Sequence, residues 1–403
     1  MSRITAQEEA EVRRLGAEVA SQFTQNPRFK FLGNAGLGRH GGALILAEAS
    51  SDGREARKIV VKYSYGSLSP DEQSNADNDL RNEYMWLKRL RGAEHIGQLI
   101  DLAECSLLLP GTSNGESTYE ESVRAAGGGS QQAPVRRCPT FALEYLSYGT
   151  LYQFEQRLYD FRWHGLPSRL LWRIWLCMVR QCVAMAFPPD IPDNEYVGQT
   201  IREGIIENQP YASIVQNSPH EHNFMFSVAA DLPGDEHQPN LPMVKLIDFG
   251  RGRLDSEEVA RRRLPDNPEE YASRKNLAAA AVAMMRLCSL TVVDRENYYL
   301  LERTAPYTWT DEAGTHTIFT IAPEILTANT VIDPTLRHLL VRTLAYPWAS
   351  KPSLREVLAI TEQAIARTRG DPGPMTEDAR SLGIFESDDV IRGLVQHFLY
   401  DAA

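Results

Sequence analysis

The spacing of apolar residues changes character along this chain, and that change limits its possible folds more than any single motif does. Up to about residue 146 the apolar residues fall mostly in short runs that read as strands. These include Phe29-Lys30-Phe31-Leu32, Leu44-Ile45-Leu46-Ala47, Lys58-Ile59-Val60-Val61-Lys62 and Thr140-Phe141-Ala142-Leu143. From about Ser168 the spacing turns helical, over Leu170 to Met185, Ala278 to Leu290, Pro334 to Tyr346 and Leu354 to Thr368. Strands first and helices afterwards predict an α+β chain with segregated lobes rather than alternating βαβ units.

Two polar stretches interrupt the pattern. Between Pro110 and Pro139 the sequence collapses to Gly, Ser, Glu, Gln and Ala, including Gly127-Gly128-Gly129-Ser130. It is too poor in apolar residues to offset its ordering entropy and reads as a disordered insert between two strands, Ser106 to Leu109 and Thr140 to Leu143. A second insert, Ala229 to Pro242, reads as a hairpin excursion. Residues 5 to 23 space Glu, Arg, Ala and Val as one amphipathic helix. The tail after Gly370 ends in a helix over Asp388 to Tyr400, whose Ile391, Leu394, Val395 and Phe398 predict docking on the larger lobe.

Charge and cysteine content exclude several function classes. A formal net charge of -11 argues against nucleic acid or an anionic membrane as the main partner, since either would need a clustered basic surface. The one basic run, Arg261-Arg262-Arg263, reads as a solvated loop. Five cysteines, odd in number and without a CxxC pair, read as reduced thiols in a cytoplasmic or nuclear protein. The N-terminus has early carboxylates and no apolar h-region, and no apolar stretch is long enough to span a membrane.

Chemistry-bearing residues occur in a telling order. Gly36-Leu37-Gly38-Arg39-His40-Gly41-Gly42 fits GxGxxG between two strand runs. Lys62 ends the next strand, and Glu83 lies on the amphipathic helix Leu80 to Leu90. Phe141-Ala142-Leu143-Glu144-Tyr145-Leu146 precedes Gly149-Thr150-Leu151. Then come Ile214-Val215-Gln216-Asn217-Ser218-Pro219-His220-Glu221-His222-Asn223 and Lys245-Leu246-Ile247-Asp248-Phe249-Gly250. Taken singly, each run is common: a flexible hairpin, a surface lysine, a strand leading into a helix cap.

In that order they resemble the protein-kinase superfamily over residues 26 to 368, closing with Leu336 to Pro347 and Lys351-Pro352-Ser353-Leu354-Arg355-Glu356. The resemblance implies a small β-rich N-lobe over 26–146, a larger mainly helical C-lobe over 147–368, an N-terminal helical extension over 1–25 and a tail over 369–403. It implies that Gly36, Gly38 and Gly41 close over the phosphates of ATP, that Lys62 pairs with them and that Glu83 orients Lys62. It also places Leu143 at the back pocket, Glu144 and Leu146 on adenine, and Asn223 and Asp248 on Mg2+.

The departures matter as much. Gln216, Asn217 and Ser218 stand where the family carries His, Arg and Asp. A neutral serine neither orients a substrate hydroxyl nor accepts its proton as a carboxylate does, and losing a positioned base removes on the order of 10²- to 10⁴-fold in rate. His220 or Glu221 is a shifted substitute base. Asn217 lacks the cation that would receive a phosphorylated activation loop. Asn276 replaces a buried Asp, and Ala322-Pro323-Glu324 falls too late to serve as the usual end of the activation segment. His220, Glu221 and His222 lack zinc-site spacing, and Cys177 and Cys182 read as core residues. Three functions stay open: an ATP- and Mg2+-binding module with weakened or absent catalysis and a protein partner, a divergent Ser/Thr-type phosphotransferase, and a scaffold that binds no nucleotide.

Overall fold

The computed structural model describes residues 5–38, 41–50, 55–65, 70–105, 139–227, 242–289, 304–368 and 376–402. Both polar inserts therefore lie outside the described residues, apart from their edges, as does Ser106 to Leu109. The chain is α+β, with an antiparallel five-stranded sheet in its N-terminal part and a largely helical C-terminal part. It forms two compact units. The first comprises residues 1–88, 98–145 and 249–251, and the second 89–97, 146–248 and 252–403.

In the first unit, strands β1 (Phe29–Gly38), β2 (Gly41–Ala49), β3 (Glu55–Ser64), β4 (Leu99–Ile100) and β5 (Thr140–Glu144) run in the order β1-β2-β3-β5-β4. β5 thus pairs with β3 and β4. Side-chain alternation along β3 sends Ile59, Val61 and Tyr63 to one face. Helix α1 (Ala6–Thr24), opened by a Thr5–Glu8 capping box, covers that face with Val12, Leu15, Val19, Ala20 and Phe23. The helix expected as an extension is therefore part of the sheet's own core. Tyr63 locks it, its hydroxyl donating to the Val12 carbonyl at 2.9 Å. Its ring fills the space beside Gly16 and Gly42, where a Cβ would collide with it. Helix α2 (Pro70–Arg89) follows β3.

The second unit is built around the Ser168–Ala186 helix, in which Trp172 and Trp175 expose no surface. The Tyr271–Cys288 and Leu354–Arg367 helices and β8 (Met243–Leu246) pack against it. Short strands β6 (Ile214–Val215), β7 (Phe224–Ser227) and β9 (Arg253–Leu254) complete two small ribbons, β6 with β9 and β7 with β8. An irregular stretch from Pro188 to Tyr211 is clipped at several points. Arg89 pairs with Asp190 at 3.0 Å, the Arg91 guanidinium lies over the Tyr196 ring, and Arg355 reaches Glu207 at 3.0 Å.

The tail docks as its periodicity predicts. Phe398 packs edge-on to Phe161 and Trp163, Arg157 donates to the Phe398 and Ala402 carbonyls, and Glu386 accepts from the first amides of the Ser168–Ala186 helix. A hairpin, Ala305–Asp311 with Gly314–Thr320, lies where helical patterning gave no strand signal. Arg261-Arg262-Arg263 ends the Glu257–Arg263 helix, where cations favour the C-terminal end, rather than forming a loop. No helix among the described residues is long and apolar enough to cross a membrane.

The Tyr63 lock gives a direct test. Tyr63→Phe removes one buried hydrogen bond while the Val12 carbonyl keeps its place in the α1 ladder, so urea unfolding should show a loss of about 0.5–1.5 kcal/mol. Gly42→Val, which drives a side chain into the ring, should lose more.

Candidate functional site

The candidate residues fall into two sets, one in each unit. In the first unit Lys62 leaves β3 on the face opposite the α1 core. Its Nζ lies 2.6 and 2.8 Å from the two oxygens of Glu83 on α2. Glu83 is 3% exposed, so the carboxylate is almost wholly out of water while the ammonium keeps a partial opening. The next residue back on the same helix turn, Asn82, donates from Nδ2 to the Gly250 carbonyl at 2.9 Å. Adjacent residues on α2 thus hold the strand lysine and the Phe249-Gly250 segment, with Phe249 fully buried.

The glycine run forms the β1–β2 hairpin, its tip lying outside the described residues. Gly41 has a folding reason, since a Cβ there would collide with the Tyr63 carbonyl. Gly36 has none among the described residues: its backbone is not left-handed, and apart from its chain neighbours none of their atoms lies within 4 Å of where a Cβ would sit. A Cβ at Gly38 would make only an ordinary 3.5 Å contact. Leu143 is buried in β5. The Glu144 N–H donates to the Gln98 carbonyl at 3.0 Å, and its carboxylate accepts the Gln98 N–H at 2.8 Å. Its amide is therefore committed to the sheet.

In the second unit, Leu146 is buried, and neither its N–H nor its C=O has a partner among the described residues. The loop from Gln216 to Asn223 is tightly held. Gln216, fully buried, donates from Nε2 to the Asp248 carbonyl at 2.6 Å and accepts the Ser218 N–H on Oε1 at 2.7 Å. Asn223 Nδ2 reaches the Ser218 carbonyl at 2.9 Å. Asn276 supports the loop from below, donating to the Ile214 carbonyl at 2.8 Å and accepting the Gln216 N–H at 3.4 Å. Asn217 and Asp248 both hold left-handed backbones, φ 67° and 64°, a conformation that needs such fixing outside glycine.

Ser218 is therefore positioned by its backbone on both sides, while its hydroxyl has no partner among the described residues. The shifted substitutes fare unevenly. Glu221 is buried and ion-paired with Arg286, which ties it into the fold. His222 stacks on Tyr152 at 4.1 Å, and desolvation holds its pKa below the usual imidazole range. His220 lies edge-on to His222. The span between Asp248 and Asn276 is short but ordered by its own small core, in which Ala260, Leu264 and Tyr271 pack with Trp348.

The sequence pointed to Lys62, Glu83, Asn223 and Asp248 but not to the groups that hold them. The roles of Gln216 and Asn82 depend on partners distant in sequence. Also unforeseen is a buried trio in the second unit: Glu94, His95 and Glu203 bring ligand atoms within 4.8 Å of one another. Buried Cys105, Cys177, Cys182 and Cys288 form no disulfide. Comparison with models of known protein families finds no match, and comparison with curated proteins finds none either. Gln216→Leu should test the loop's support, because it strands the Asp248 carbonyl and the Ser218 N–H. A stability loss of about 1–3 kcal/mol in urea is expected.

Proposed function

We propose that this chain is a divergent protein-kinase-like domain that binds ATP with Mg2+ and transfers phosphate weakly or not at all. The observation that carries this reading is the Lys62–Glu83 pair. Removing two charges from water is expensive, and an apolar pair of similar volume often serves stability as well or better. A lysine held by both carboxylate oxygens, with part of its surface open, is suited to meeting a polyphosphate.

Other features support the same reading. The strand order and the β6–β9 and β7–β8 ribbons suit a kinase-like two-lobed fold. Gly36 has no structural requirement for glycine and leaves room for close ligand approach. The unpartnered backbone at Leu146 could serve adenine. Asn223 and Asp248 supply an amide oxygen and a carboxylate, hard donors that suit Mg2+.

Weak transfer follows from Ser218. Its hydroxyl is neutral, and Glu221 is committed to Arg286. Such a protein acts through what it binds: nucleotide would stabilise one arrangement for an as yet unidentified protein partner, and any substrate would be turned over slowly.

ATP at 100 times its dissociation constant should stabilise the chain by about 2.7 kcal/mol. In a thermal-shift assay this should require Mg2+ and vanish in Lys62→Ala and Asp248→Asn. The absence of any shift in the intact chain would overturn the nucleotide reading. Ser218→Asp restores a carboxylate, so phosphate transfer to a generic protein acceptor should rise by on the order of 10²-fold or more.

A further inference from the structure

The trio in the second unit lies outside the residues assigned to nucleotide. Glu94 and His95 sit in the turn after α2, and Glu203 comes from the irregular stretch clipped against that turn. All three are buried. His95 Nδ1 lies 2.7 Å from Glu203 Oε2 and 3.9 Å from Glu94 Oε2. The His95 backbone N–H donates to Glu203 Oε1 at 2.7 Å, which fixes the second carboxylate beside the ring.

Glu94 is the anomaly. It is 1% exposed, yet neither carboxylate oxygen has a hydrogen-bond partner. Arg202 Nε lies 3.6 Å and Arg180 Nη1 4.0 Å from it. These offset its charge at a distance but leave its lone pairs without a donor, a costly state for a buried carboxylate.

We propose that Glu94, His95 and Glu203 bind one divalent transition-metal ion of the zinc class, which pins the Pro188–Tyr211 stretch to the turn after α2. Metal–ligand bonds of about 2.0–2.2 Å place donor atoms roughly 3–4 Å apart; the spacings of 2.7 and 3.9 Å about His95 Nδ1, with all three ligand atoms within 4.8 Å, reach that range by side-chain rotations that part His95 from Glu203 and draw Glu94 in. The ion would take the place now held between His95 Nδ1 and Glu203 and would give Glu94 the partner it lacks. One imidazole with two carboxylates suits Zn2+ or Mn2+ better than Mg2+ or Ca2+, which prefer all-oxygen sets. Burial closes the site to substrates, so its role is structural.

The test uses the full chain, stripped with chelator and titrated with Zn2+, Mn2+ and Mg2+. One Zn2+ per chain is expected, with a rise in melting temperature that Mg2+ does not produce. Glu94→Gln, which removes an acceptor the fold does not use for hydrogen bonding, should weaken Zn2+ at least ten-fold. If that variant does not fold, zinc-edge X-ray absorption of the intact protein decides, with nitrogen and oxygen donors and one imidazole expected. No stoichiometric Zn2+, undiminished binding in folded Glu94→Gln, or sulfur in the ligand shell would overturn the proposal and leave the carboxylate to an ordered water.

Discussion

The buried Lys62–Glu83 pair is the interaction on which the reading of this chain depends. A desolvated carboxylate on α2 meets the strand lysine on the face of β3 away from the apolar core, and the same helix turn brings Asn82 to Gly250. α1 closes the other face of the sheet with apolar contacts and one hydroxyl hydrogen bond from Tyr63. The two faces of β3 therefore do different work, one supplying stability and the other presenting charge. Strand alternation, with its period of two, makes that division possible within a few residues.

The second unit solves a comparable problem with amides. Gln216 and Asn276 replace charged or ionisable residues of the pattern the sequence resembles, yet they hold the loop by hydrogen bonds to its backbone. An amide both donates and accepts, so Gln216 can satisfy the Asp248 carbonyl and the Ser218 N–H at once. The loop is thereby kept in place by its backbone, and its central side chain, Ser218, is a neutral hydroxyl.

Much of this was legible from sequence because it depends on local patterning. Strand alternation showed β1, β2, β3 and β5, helical spacing showed the long helices, and the order of Lys62 and Glu83 anticipated their ion pair. What escaped was non-local. The packing of α1 under Tyr63 depends on glycines at 16 and 42 that make room for a ring. The Ala305–Thr320 hairpin alternates aromatic and threonine residues without a strongly apolar face. The trio of Glu94, His95 and Glu203 joins residues more than a hundred positions apart. The run Arg261-Arg262-Arg263 looked like a loop because its helix is short and its cap, Ser256, is an isolated signal.

The central claim is that the Lys62–Glu83 pair is kept for a ligand rather than for the fold, and the double replacement Lys62→Met with Glu83→Leu tests it most directly. Urea unfolding and ATP·Mg2+ titration would be measured on the same preparation. An unchanged stability, or one raised by about 1–4 kcal/mol as seen when buried ion pairs become apolar, together with complete loss of ATP binding, is the expected result. A double variant that still binds ATP would contradict the account.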